Sequence, residues 1–128
     1  MAYIYSNVKN LADTPVVGTR QCVALVQHFA LAPTTARWRQ GDTVMGNADI
    51  KAGTAIATFV KGRYPNQAHG NHAALYVGPA SGGMYIADQW RADNKTKISI
   101  RLIRSQGKGK DGSYIDACNN ADAFPVIE

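Results

Sequence analysis

Apolar residues in the first quarter of the chain recur at the spacing of an α-helix. Thr19 is a suitable N-cap because its hydroxyl can accept from an early backbone N–H, and Pro33 cannot continue a helix. The pattern therefore predicts a helix from Arg20 to about Leu31, in which Cys22 is the third residue. The apolar stripe of this helix consists of Val23, Leu25, Val26, Phe29 and Ala30.

From Gly53 onward the pattern changes to the short apolar runs and alternation that are typical of strands. A short second helix precedes this change, over residues 34–40. A helix followed by antiparallel strands defines the α+β class, and 128 residues without a repeat or linker predict one domain over residues 1–128. The predicted strands cover residues 54–60, 71–78, 84–90 and 97–104, with a hairpin turn at 78–83 and a short edge strand at 123–128.

The chain carries a formal net charge of +5, which favours polyanionic partners such as a bacterial cell wall. The basic segment 104–112 contains no aromatic residue on which bases could stack, so a nucleic-acid partner is not expected. The N-terminus lacks a basic start followed by an apolar run, and no stretch reaches the roughly 18 apolar residues of a membrane span. We therefore expect a soluble cytoplasmic chain without a signal peptide, for which delivery to a periplasm by a signal-independent route stays open.

Cys22 is the candidate nucleophile because of its position in the first turn of the predicted helix. A thiol attacks a carbonyl carbon only as the thiolate, and the positive end of the helix dipole favours this anion. The free N–H groups at a helix N-terminus can also hold the oxyanion that forms during amide hydrolysis. Free cysteines are more often small buried apolar residues, so the hypothesis requires a base near Cys22.

His72 is the candidate base, because it begins a predicted strand directly after Gly70 and Asn71. A histidine at the end of a sheet can reach a helix N-terminus and accept the thiol proton. In a strand, His72 shares a face with Ala74 and Tyr76. The small side chain of Ala74 would allow the helix to pack closely on that face.

Asp88 and Gln89 are the candidates for the residue that orients the imidazole. They are adjacent in one strand and therefore point to opposite faces of the sheet. One hairpin register places Asp88 opposite His72, and a register shifted by one residue places Gln89 there. A carboxylate stabilises an imidazolium more than an amide does, which favours Asp88.

Several other functions fit parts of the sequence. His69 and His72 are three residues apart, but no cysteine or carboxylate at metal-ligand spacing accompanies them, so no metal or other cofactor is predicted. The same residues would serve a cysteine acyltransferase. A non-catalytic binding module for a polyanionic wall or nucleic-acid partner also stays open. It would be indifferent to the loss of Cys22 and would bind with a steep salt dependence.

The order of these segments resembles that of the CHAP and NlpC-type amidases, over roughly residues 16–91. The segments that carry the resemblance are residues 18–27 with the nucleophile helix, 50–59 with a glycine-led strand, 70–78 with the histidine strand and 86–90 with the strand of the third polar residue.

The resemblance implies a papain-like fold, with an N-terminal nucleophile helix packed on an antiparallel β-sheet. It also implies hydrolysis of amide bonds in peptidoglycan stem peptides by Cys22 and His72, with Asp88 or Gln89 as the third residue. The short chain is similar to small interbacterial amidase effectors. That similarity implies a peptidoglycan peptide as substrate and a neutralising inhibitor protein as a partner.

Overall fold

One α-helix and one six-stranded antiparallel sheet make up the fold, in a computed structural model that describes residues 1–128. The elements are α1 (Cys22–Phe29), β1 (Gln40–Thr43), β2 (Ala55–Ala57), β3 (Ala73–Ala80), β4 (Gly83–Asp88), β5 (Ser99–Arg104) and β6 (Pro125–Ile127). The strands follow the spatial order β1-β6-β2-β3-β4-β5, and the predicted α+β class is confirmed. No helix has the length and apolar character that crossing a membrane requires.

Helix α1 begins two residues later than the sequence pattern predicts. Arg20 has a φ of 71°, which lies in the left-handed region and cannot belong to a right-handed helix. Gln21 is extended, with φ −71° and ψ 159°, and is the N-cap in place of Thr19. Cys22 is therefore the first residue of the helix and not the third. Its own N–H, which has no intrahelical acceptor, lies at the positive end of the helix dipole.

The segment after α1 also differs from the prediction. The helix ends at Phe29, and Leu31 adopts a φ of 60° before Pro33 is reached. The predicted helix over residues 34–40 is wrong, since Thr35–Arg37 forms one 3₁₀ turn and the chain continues into β1.

The chain is extended from Arg39 through β1 because it pairs there with the C-terminal strand. The N–H of Arg39 donates to the carbonyl oxygen of Glu128 at 2.6 Å, and the N–H of Glu128 donates back at 2.8 Å. β6 pairs with β1 on one side and with β2 on the other. It is therefore an interior strand, and its predicted position at an edge of the sheet is wrong.

Side chains along the strands alternate between two apolar clusters, one on each face of the sheet. In β3, Ala73 and Leu75 belong to the cluster that includes the buried residues of α1. Ala74 and Tyr76 belong to the cluster on the opposite face. The helix therefore packs over Ala73, and the expectation that it approaches Ala74 is wrong.

The hairpin of β3 and β4 pairs Tyr76 with Ile86, so neither Asp88 nor Gln89 lies directly opposite His72. This register differs by two residues from the one that would place Asp88 there. A shift of two residues leaves every side chain on its original face. Asp88 therefore shares the face of His72 as a diagonal neighbour, and Gln89 points to the other face.

Candidate active site

The thiol of Cys22 lies where α1 begins, at the end of β3. The side chain is half-buried and packs against the apolar cluster under the helix. Its Sγ is 3.8 Å from the hydroxyl oxygen of Tyr64, and the backbone N–H of Ala73 also interacts with the sulfur. Hydrogen-bond donors beside a thiol stabilise its deprotonated form, so these two groups favour the thiolate.

The backbone of His72 is fixed by Thr58. The N–H of His72 donates to Oγ1 of Thr58 at 3.0 Å, and the N–H of Thr58 donates to the carbonyl oxygen of His72 at 3.0 Å. The imidazole Nε2 lies 2.8 Å from Oδ2 of Asp88. Since Nε2 is hydrogen-bonded to Asp88, the other ring nitrogen, Nδ1, is the one that can exchange a proton with Cys22.

Asp88 is fully buried, and its Oδ2 has two cationic partners. It accepts from Nε2 of His72 at 2.8 Å and from Nε of Arg101 at 2.9 Å, and one terminal nitrogen of Arg101 lies within ion-pair distance at 2.9 Å. Burial by itself raises the pKa of Asp88, but hydrogen bonds from His72 and Arg101 outweigh burial and hold this pKa below its ordinary value. The carboxylate is therefore ionised at neutral pH and stabilises a positive charge on His72.

The electrostatics of Cys22 and His72 favour an ion pair. Burial alone would raise the pKa of the Cys22 thiol, but hydrogen bonding and attraction to His72 outweigh it, so this pKa lies below its ordinary value. Burial lowers the pKa of His72, but hydrogen bonds with Asp88 and Cys22 and their negative charges raise it to about 9. Both shifts favour a thiolate beside an imidazolium over a neutral thiol beside a neutral imidazole, and the thiolate is the nucleophilic state of a cysteine.

Tyr64 is a part of the site that the sequence did not reveal. Its side chain is almost fully buried and packs on Trp38, with ring centroids 4.9 Å apart. Burial and the nearby charge of Cys22 raise the pKa of the Tyr64 hydroxyl, which therefore stays protonated and donates toward the sulfur. Tyr64 is 42 residues from Cys22 in the chain, and no motif marks it, so only the folded chain shows this contact.

Gln89 is fully buried and contacts the segment before α1, not His72. Its Nε2 donates to the carbonyl oxygens of Val17 at 3.0 Å and Gln21 at 2.9 Å. Its Oε1 accepts from the N–H of Val17 at 2.9 Å. These three bonds hold the N-cap of α1 in place. Gln89 therefore positions the backbone of Cys22, while Asp88 contacts the imidazole.

A cleft with a volume of about 990 Å³ opens around the thiol of Cys22. Its walls come from the start of α1, the loop of residues 66–72, the segment after β4 and the region of Cys118. Both cysteines are free thiols. Burial and the charge of Asp116 raise the pKa of Cys118, so it stays protonated beside the cleft. His69 also lines the cleft, and no cluster of three or more potential metal ligands includes it.

The two cysteines are expected to differ in reactivity toward iodoacetamide as the pH is raised. Cys22 should be alkylated with an apparent pKa below the value of about 8.5 for a free cysteine, and Cys118 with one above it. In His72→Ala the lowering influence of the imidazole is lost while burial remains, so the apparent pKa of Cys22 should rise past the free value. Peptide mass spectrometry measures both sites in one sample.

Tyr64→Phe provides a finer comparison in the same experiment, because it removes the hydroxyl and keeps the ring on Trp38. It should raise the apparent pKa of Cys22 by less than His72→Ala does, since the hydroxyl lowers this pKa less than the imidazole. Equal titration of Cys22 in the wild type and in His72→Ala would contradict the ion pair.

The fold and the geometry of these side chains define a class of protein. A cysteine begins a helix that packs on an antiparallel sheet, and two strands of that sheet bring a histidine and an aspartate to the same point. This is the papain-like α+β class that the sequence resemblance implies.

Comparison with known proteins places the chain more closely. The family described as Dae2, domesticated amidase effector 2, matches residues 2–127. A type VI secretion amidase effector 2 protein of Salmonella typhi is 47% identical over 133 residues, covering 100% of both chains. A domesticated amidase effector 2 of Ixodes scapularis is 37% identical over 116 residues, or 88% of this chain and 73% of the relative. A solved structure of a type 6 secretion amidase effector 2 (Tae2) is 46% identical, with a TM-score of 0.90 over 98% of this chain and 94% of the other.

The chain belongs to the domesticated amidase effector 2 family. It is an amidase, an enzyme that hydrolyses amide bonds, and the expected papain-like fold and relationship to small amidase effectors are confirmed. The alternative of a non-catalytic binding module is set aside, because the relatives that match most of the chain are amidase effectors.

Proposed function

We propose that the protein is a cysteine amidase that cleaves amide bonds in the stem peptides of bacterial peptidoglycan. The observation that carries this proposal is that Cys22 and His72 line one cleft, with the imidazole of His72 hydrogen-bonded to the buried carboxylate of Asp88 at 2.8 Å. A thiolate is nucleophilic without further activation, and the imidazolium beside it can protonate a leaving amine.

The reaction follows from the protonation states of Cys22 and His72. The thiolate attacks the carbonyl carbon of the scissile amide, and the resulting oxyanion accepts from the N–H of Cys22. The Tyr64 hydroxyl, 3.8 Å from the sulfur, is a second candidate donor. His72 transfers its Nδ1 proton to the amine as the C–N bond breaks, which leaves a thioester. His72 then takes a proton from water, the hydroxide attacks the thioester, and Cys22 departs as the thiolate.

The choice of peptidoglycan rests on two observations. Residues 18–27 and 70–78 resemble the nucleophile helix and histidine strand of the CHAP and NlpC-type amidases, which act on wall peptides. The net charge of +5 also favours binding to an anionic wall.

Digestion of purified sacculi tests this function directly. The wild-type protein should convert cross-linked or intact muropeptides into fragments that together contain one added water per cut, with one new amine and one new carboxyl group. Chromatography with mass spectrometry identifies the bond. An unchanged muropeptide profile at micromolar enzyme would count against peptidoglycan as the substrate.

The relative from Salmonella typhi is a type VI secretion amidase effector, which supports export of this protein by the same kind of route. A producing cell exposed to such an enzyme would need an inhibitor protein that covers the cleft of Cys22. Purification from the producing cell should recover that inhibitor with the enzyme. Repeated recovery of the bare chain would argue against such a partner.

A further inference from the structure

The charges that line the cleft do not balance. No aspartate or glutamate is among the lining residues. A proton shared between Cys22 and His72 leaves that pair without net charge, and the buried Asp88 compensates Arg101. One cation is left over. The basic side chains that line the cleft are His69, His72, Arg91 and Arg101.

Arg101 is less available to a substrate than Arg91, because all three nitrogens of its guanidinium already have protein partners. Two of its nitrogens contact Oδ2 of Asp88 at 2.9 Å, and the third donates to Oδ1 of Asn119 at 2.7 Å. Arg91, in contrast, is exposed and belongs to none of the ion pairs of the chain. Arg91 therefore carries the uncompensated positive charge of the cleft.

The backbone that presents Arg91 is held firmly. Gln89 is fully buried and makes three hydrogen bonds to the segment before α1. The ring of Trp90 contacts two cations, with Nζ of Lys95 at 4.2 Å and the guanidinium carbon of Arg101 at 5.7 Å from its centroid. Arg91 follows these two anchored residues directly, so its starting point on the cleft wall is fixed. A fixed starting point reduces the entropy lost when the side chain binds an anion.

We propose that Arg91 binds a free carboxylate of the substrate, so that the enzyme selects peptides that carry a carboxylate close to the scissile amide. The inference rests on the proposed function and specifies its substrate class. A guanidinium binds a carboxylate through two parallel hydrogen bonds, which a carboxamide cannot match because it offers a single oxygen and no charge. Stem peptides contain both forms, since their carboxyl groups occur free or amidated.

A pair of muropeptides that differ only in these groups, free carboxylates in one and carboxamides in the other, tests the proposal. The wild type should cleave the carboxylate form with a kcat/KM about tenfold higher. Arg91→Gln should reduce this ratio to near one by raising KM for the carboxylate form. Arg91→Lys should retain part of the ratio, because it keeps the charge and loses the two-point geometry. Arg37→Gln removes the same charge from an exposed site outside the cleft and should preserve the ratio.

Equal cleavage of both muropeptides by the wild type would overturn the role of Arg91 and leave the amidase proposal intact. A preference that persists unchanged in Arg91→Gln would also overturn it, because the carboxylate would then be recognised elsewhere. Failure of the wild type to cleave either muropeptide would overturn the proposed function, and this inference with it.

Discussion

Cys22→Ala is expected to lower the rate of sacculus digestion by at least about 10⁴-fold, which is the scale seen when a covalent nucleophile is removed. The thiol is the atom that attacks the carbonyl, and no other nucleophile in the cleft is activated. Cys22→Ala should remain folded, because alanine keeps the β-carbon at the first helical position and the side chain is only half-buried. The measurement is the release of soluble muropeptides over time, together with the melting temperature of each variant.

Cys118→Ala is the matched control, since it deletes the other thiol of the same cleft. Its side chain is half-buried and takes no part in the proposed proton transfers, so the variant should digest sacculi within a few-fold of the wild type. Retention of activity in Cys22→Ala with loss in Cys118→Ala would reverse the assignment. Retention in both variants would eliminate cysteine catalysis.

Asp88→Asn is expected to have the second largest effect, on both stability and activity. The carboxylate is fully buried between two cations, and its loss leaves the charge of Arg101 without a counter-charge. Breaking a buried ion pair from one side typically costs about 3–5 kcal/mol of unfolding free energy. Activity should fall by at least about 100-fold, because the imidazole loses the partner that orients it and stabilises its charge. Urea unfolding and sacculus digestion measure the two effects.

Two comparisons separate the lost ion pair from a general effect of the substitution. Asp42→Asn makes the same change at an exposed site and should alter stability by less than about 0.5 kcal/mol. Adding Arg101→Gln to Asp88→Asn removes the unpaired cation and should restore part of the lost stability. If the double variant is as unstable as the sum of the two single variants, the ion pair does not explain the loss.

The stability difference between the wild type and Asp88→Asn should depend on pH. The pKa of Asp88 is lowered in the folded state, so its contribution is complete above the unfolded value of about 3.9. It is lost as the pH falls through the lower folded value. The two proteins should therefore converge in unfolding free energy only at strongly acidic pH. A difference that is constant down to that range would contradict the ionised state of Asp88.

The amino-acid sequence by itself supplied most of the candidate site residues, because local chemistry was enough to single them out. The apolar stripe predicted a helix near its true position, and the alternation after Gly53 predicted most strands of the sheet. Cys22 and His72 could be singled out since each lies at the start of a predicted element, where a side chain is accessible and a helix dipole acts. Resemblance to known amidases then supplied the order of these elements.

The tertiary structure decided what depends on contacts between distant segments. The left-handed conformation of Arg20 set the start of α1, and where a helix was predicted over residues 34–40 the chain forms one 3₁₀ turn and then pairs with the C-terminal strand. The choice between Asp88 and Gln89 required the strand register, which a periodicity of two residues cannot specify. Tyr64 entered the site from 42 residues away. Local sequence pattern was thus enough to identify candidate reactive side chains. The contacts of each side chain depend on strand pairing between distant segments, which is fixed only when the whole sheet has formed.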